Sequence, residues 1–277
     1  MSKGLITAFV LCGSPLTMHA GWIVTIFSQG SPATIYATIG REHGGTAADH
    51  AGVWDIQGYH DLHPAGATYS GVQETTGSTR AGWAYYGANA HAGIWTALSR
   101  ASWVDLNPTN STFSQCFSIS GGQQSGAAYF NGTSHAGIWN GTADSWIDLN
   151  PAGGSNSWAR STVGTQQVGY VYFANKTHGG IWTGTSNSWL DLHPADPSES
   201  DIHRTIGTQQ VGYVYFGQTF HASIWSGSSN TWIDLNPPGA ENSEAFATTG
   251  QYQAGRIYND ISNSIQHAGI WQGTSTS

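Results

Sequence analysis

Four short runs between residues 159 and 194, ARSTVG, QQVGYVYF, HGGIWTG and SWLDLHP, alternate apolar with polar positions or concentrate aromatic and β-branched residues. That is the pattern of half-buried strands. Turn-like residues fill the breaks between them, and no apolar 3.6-residue period runs long enough for a helix. The chain therefore reads as all-β, and we label the four strands of this unit A to D.

The unit recurs. Six times a Trp or Tyr is followed eighteen positions later by Gly: Trp22/Gly40, Tyr59/Gly77, Trp103/Gly121, Trp146/Gly164, Trp189/Gly207 and Trp232/Gly250. A second marker, His-Ala/Gly-Gly/Ser-Ile/Val-Trp, begins at His50, His91, His135, His178, His221 and His267, at intervals of 41, 44, 43, 43 and 46 residues. A period in the low forties built from four short strands predicts propeller blades.

The last unit has strands A, B and C but ends at QGTSTS, where D is due, while residues 22 to 40 repeat the length and register of residues 146 to 164. The expectation is a six-bladed β-propeller of four-stranded blades, closed by the N-terminal strand (residues 22 to 28) completing the last blade, which leaves no open sheet edge. A capped solenoid is the alternative, but it gives no reason for complementary truncations at the two ends.

Composition narrows the partners. Only 9% of the 277 residues are charged, the net charge is -8, and the eight Lys and Arg are scattered singly. A phosphate backbone finds no basic stripe, so nucleic acid is excluded as a partner. A single propeller domain over residues 22–277 is expected, preceded by residues 1–21. Those carry one Lys, LITAFVLCG and a small-residue site at Ala20. They read either as a leader, implying a secreted or periplasmic protein, or as a packed N-terminal extension compatible with the cytoplasm. They are too short to span a membrane. The two cysteines, Cys12 and Cys116, have neither metal-type nor disulfide-type spacing.

Sixfold repetition argues that the histidines of the second marker are structural, each bonding within its blade to the recurring Asp61, Asp105, Asp148, Asp191 or Asp234 as a buried partner. Function is expected where the repeat is broken, on strand A, the innermost strand of a propeller. Four residues before the marker Gly stand Tyr36, Gln73, Phe117, Arg160, His203 and Phe246; six before stand Thr34, Gly71, Gln115, Trp158, Asp201 and Glu244. Equal parity places both rows on one face as two rings lining the channel. Glu74 and Arg204 interrupt a small-residue row three before the Gly.

The loops ADPSESDIHR and PPGAENSEAF bring Asp196, Glu199, Asp201, Glu241 and Glu244 toward two adjacent entrances. Oxygen-rich and free of Cys, this group suits a hard cation such as Ca²⁺, with Asp201, Glu244, Glu74 and Glu199 as ligands. A solvated acidic rim is the other reading.

The HAGIW and WIDLNP segments resemble the HAxxW-type extracellular repeat proteins of bacteria, over about nine-tenths of the chain. In overall character the chain is also similar to metagenome-derived, calcium-dependent propeller hydrolases that act on N-acyl-homoserine lactones, the quorum-quenching activity. That second resemblance implies a Ca²⁺-assisted lactone or ester hydrolase at the channel mouth. His203 or a carboxylate such as Asp201 would activate water, Arg160 would clamp an anion, and Tyr36 completes the catalytic candidates. Gln73, Phe117, Trp158, Phe246, Gln115 and Arg204 would line the small-molecule site. A multivalent lectin using the repeated Trp residues, or a plain interaction scaffold, are the other readings. No GxSxG motif is present, which disfavours a serine nucleophile.

Overall fold

The computed structural model describes residues 33–258 and 266–277. The closing strand expected at residues 22–28, the leader and Cys12 lie outside the described residues. Six antiparallel sheets follow one another along the chain, five in the order A-B-C-D and the sixth in the order A-B-C among the described residues, and together they form a six-bladed β-propeller. The A strands are Ala33–Ile39, Tyr69–Thr75, Phe113–Ser120, Asn156–Val163, Glu199–Thr205 and Asn242–Thr248. Blade 4 continues with Gln166–Phe173, Lys176–Trp182 and Leu190–Asp191. Blade 6 has three described strands. Between strands C and D of blades 2 to 5 a single 3₁₀ turn intervenes, for example Ser186–Ser188, where the sequence suggested only a turn.

The apolar alternation buries its residues between blades. Ala136, Ile138 and Leu149 of blade 3 pack against Ala159, Val171 and Trp182 of blade 4, and the same arrangement recurs at other seams. The Leu of the DLxP segment is fully buried in every copy, as Leu62, Leu106, Leu149, Leu192 and Leu235. Its backbone N–H donates to strand C of its own blade, Leu149 to Ala136 O at 2.8 Å. Burying one such side chain contributes about 1.5–3 kcal/mol, so the seams hold the ring together.

The repeated His–Asp pairs form as expected: His91, His135, His178 and His221 meet Asp105, Asp148, Asp191 and Asp234 at 2.6–2.7 Å, and His50 meets Asp61 at 3.0 Å. They are not buried. The side chain of His135 is 25% exposed and that of Asp148 44%, because strand D is the outermost strand and faces solvent.

Two glycines per unit have definite causes. The marker Gly lies in the left-handed region in all six blades, with φ from +57° to +90°, to turn strand A into strand B. Five residues later a second Gly opposes strand A so closely that a Cβ on Gly169 would sit 1.9 Å from the Trp158 carbonyl oxygen. That contact marks a β-bulge. The pairing register skips one strand-A residue in every blade, and the skipped residue is Tyr36, Gln73, Phe117, Arg160, His203 or Phe246.

Candidate functional site

The row four before the marker Gly is thus the row of bulged residues. A bulge sets two residues opposite one and re-aims the side chains around it. The bulged residue of one blade reaches the six-before residue or the bulged residue of the next. Phe117 of blade 3 stacks on Trp158 of blade 4 at 5.1 Å and 15°. Arg160 of blade 4 grips Asp201 of blade 5, with Nε 2.8 and 3.0 Å from the two carboxylate oxygens and Nη2 2.8 Å from Oδ2. His203 of blade 5 stacks on Phe246 of blade 6 at 5.0 Å and 2°, with Nε2 3.7 Å from Asp201 Oδ2. These contacts bring members of the two rows together across the seams of blades 3 to 6.

Around Arg160 and Asp201 opens a cavity of about 300 Å³ between blades 4 and 5. Blade 4 supplies Asn156, Arg160, Tyr170, Tyr172 and Thr177, and blade 5 supplies Asp201 and Tyr213. The guanidinium of Arg160 also lies over the rings of Trp158 and Tyr170, 5.7 and 5.3 Å from their centroids.

Electrostatics hold this pair ionised. Burial by itself would raise the Asp201 carboxyl, but the Arg160 charge and the nearby His203 outweigh it and hold Asp201 at about 2. Burial would likewise lower Arg160, and the Asp201 charge reverses this and raises it. Tyr170 is pushed up to about 12, chiefly by burial. Tyr213 is raised by burial and then by the Asp201 charge. The cavity thus sets the raised phenols of Tyr170 and Tyr213 beside an ion pair with no net charge.

Three of the four carboxylates expected to share a cation are each paired with an arginine. Asp201 pairs with Arg160; Glu244 accepts from Arg256 Nη2 at 2.7 Å and Tyr258 Oη at 2.9 Å; Glu74 pairs with Arg204 and accepts from the Ile119 N–H at 3.0 Å. Glu199 begins strand A of blade 5, opposite Tyr215. Among the described residues no three His, Cys, Asp or Glu side chains are placed to hold a metal ion. Three of the four donors expected for Ca²⁺ are thus committed to cations already supplied by the chain, and this set does not fit the ion. The Glu74–Arg204 pair joins blade 2 to blade 5, half the ring apart, and so crosses the channel.

Of the remaining candidates, Tyr36 is 45% exposed on blade 1, and Gln73 and Gln115 sit on blades 2 and 3; none of the three lines this cavity. Sequence reasoning confined to strand A missed Tyr170, Tyr172 and Tyr213 of strand B. The signal was present: Tyr85, Tyr129, Tyr172, Tyr215 and Tyr258 each stand eight residues after a marker Gly. Cys116 is fully buried in strand A of blade 3, and burial pushes its thiol up.

No family model matches the chain, and the search of curated proteins finds no match. Among solved structures, TolB from Acinetobacter baumannii is similar, with a TM-score of 0.50 and 12% identity over 81% of this chain. This chain spans 60% of the length of that TolB chain. At such identity the likeness carries the propeller fold alone. Among the described residues no helix is long and apolar enough to cross a membrane.

Proposed function

We propose that the protein binds a neutral, hydroxyl-rich small molecule, a carbohydrate, in the cavity between blades 4 and 5. The observation that carries this reading is the charge-compensated Arg160–Asp201 pair set among Tyr170, Tyr172 and Tyr213, with Asn156 and Thr177 at the rim. A sugar offers apolar C–H faces to aromatic rings and directional hydroxyls to amide, hydroxyl, guanidinium and carboxylate groups. An ion pair gives it donors and acceptors at once, without favouring an anion or a cation.

The heterogeneity of the rings supports one principal site, not six equivalent ones. Residues matching the HAxxW resemblance serve the scaffold: their His side chains bond Asp on the outer strand, and their Trp side chains fill the seams. The lactone-hydrolase reading asks for a shared cation among Asp201, Glu244, Glu74 and Glu199. Since separate arginines serve the first three, no step of the proposal runs through a metal.

The test is calorimetric titration with neutral and anionic oligosaccharides, beside an N-acyl-homoserine lactone ring-opening assay on the same sample. The expected result is neutral-sugar binding at about one equivalent per chain, lowered about two- to tenfold in Tyr172→Ala, the loss of one stacking contact. Lactone opening without sugar binding, or sugar binding at several equivalents per chain, would overturn it.

A further inference from the structure

Beside the cavity, blades 2 and 3 carry an aromatic arc that the cavity does not use. Eight residues before the marker Gly stand Tyr69, Phe113, Asn156, Glu199 and Asn242, directly across the strand pair from Tyr85, Tyr129, Tyr172, Tyr215 and Tyr258. In blades 4 and 6 the strand-A position serves the seam: Asn156 Oδ1 accepts from the Ser134 N–H at 3.0 Å, and Asn242 Oδ1 from the Phe220 N–H at 2.9 Å. Tyr69 and Phe113 cannot repeat that service with a ring carbon. They instead extend a ring-to-ring path, Tyr69 to Tyr85 at 6.1 Å, Tyr85 to Phe113 at 6.0 Å and Phe113 to Tyr129 at 5.2 Å.

All four rings are only partly buried. The path ends at the cavity. Tyr129 pairs with Ser134 across strands B and C of blade 3, and the Ser134 N–H donates over the seam to Asn156, a cavity residue. A run of part-buried aromatic rings, tilted or edge-to-face to one another, leading from a small polar pocket suits a chain of sugar units, since each unit can lay a C–H face on a ring. A lone sugar occupying the cavity would leave the arc without a task.

We infer that the ligand is an oligosaccharide or polysaccharide chain, anchored by one unit in the cavity between blades 4 and 5 and continuing over Tyr129, Phe113, Tyr85 and Tyr69. This rests on the carbohydrate reading of the cavity. The test titrates the full chain with neutral cello-, malto- and chito-oligosaccharides of about one to six units. Affinity is expected to rise at least about tenfold from the monomer to the longest sugar that spans the arc, as successive units add stacking contacts.

Tyr85→Ala and Phe113→Ala should remove that gain while leaving monosaccharide affinity within about twofold. The wild-type length series needs no variant to fold, so the inference stands or falls on it even if a substitution unfolds the blade. Binding with equal affinity at every length would overturn the extended path and leave the cavity reading intact. Failure of every sugar to bind would overturn both. Saturable binding of a proline-rich peptide in place of the sugars would assign the arc to a protein partner and refute the inference.

Discussion

Replacing Arg160 by Met removes the cation that holds a nearly fully buried carboxylate, for Asp201 is 2% exposed and takes three contacts within 3.0 Å from that one guanidinium. Asp201 is held at about 2, against an ordinary 3.8. At 1.36 kcal/mol per pH unit that depression corresponds to about 2 kcal/mol of stability at neutral pH. Stranding the carboxylate adds its desolvation, and broken buried pairs cost about 3–5 kcal/mol; because Arg160 itself is 31% exposed, a loss near the lower limit, about 3 kcal/mol, is expected.

The pH dependence separates this cause from lost packing. In the wild type the folded pKa is depressed, so the contribution is complete above about pH 4 and is lost as the pH falls toward about 2. In Arg160→Met, burial acts unopposed by that cation and raises the carboxyl, so acidification relieves the variant by protonating Asp201. Urea unfolding followed by tryptophan fluorescence, at neutral pH and at about pH 4, reads both values. A stability gap below about 0.5 kcal/mol at neutral pH, or one that fails to narrow on acidification, would refute the reasoning.

The scaffold yields three further expectations. Gly169→Ala drives a Cβ into the Trp158 carbonyl oxygen at 1.9 Å, so the melting temperature should fall far more than for Gly164→Ala, whose Cβ meets nothing within 4 Å; equal falls would contradict the bulge geometry. His135→Ala breaks a half-exposed pair and should cost at most about 1 kcal/mol in denaturant unfolding, with sugar binding unchanged. His193, stacked on His178 at 4.3 Å, has its pKa lowered by burial and then by the His178 charge; stability should therefore decline as the pH falls below about 6.5, where the unfolded chain takes up the proton first. His193→Asn, which installs the residue found as Asn107, Asn150 and Asn236 in other blades, should flatten that limb of the pH–melting curve.

The blades were legible because each repeat restates the same local physics. Strand alternation, the turn Gly and the His–Asp pair all lie within one unit, and six copies remove the ambiguity of any one. Strand A also announced its uneven rows. The cavity did not follow as readily, because its decisive contacts join different units: Arg160 meets Asp201 across 41 residues and Glu74 meets Arg204 across 130. Spacing within a repeat carries no information about which charge in another blade will lie opposite. Reading acids without their arginines turned three ion pairs into one cation site. The bulge was equally hidden to an argument from parity, although Gly45, Gly82, Gly126, Gly169, Gly212 and Gly255 mark it at one fixed offset.

That bulge has a bearing on how such a ring diversifies. A residue within a ladder is constrained by the partner opposite it, whereas the skipped residue is released from that register in all six copies. Here the six copies hold Tyr, Gln, Phe, Arg, His and Phe. Each blade thereby holds at its inner edge a position whose side chain is freed from the ladder register and answers instead to the neighbouring blade, as Arg160 does to Asp201. For anyone wishing to retarget this propeller, the six skipped positions are where substitution should begin, with each change matched to its contact on the next blade.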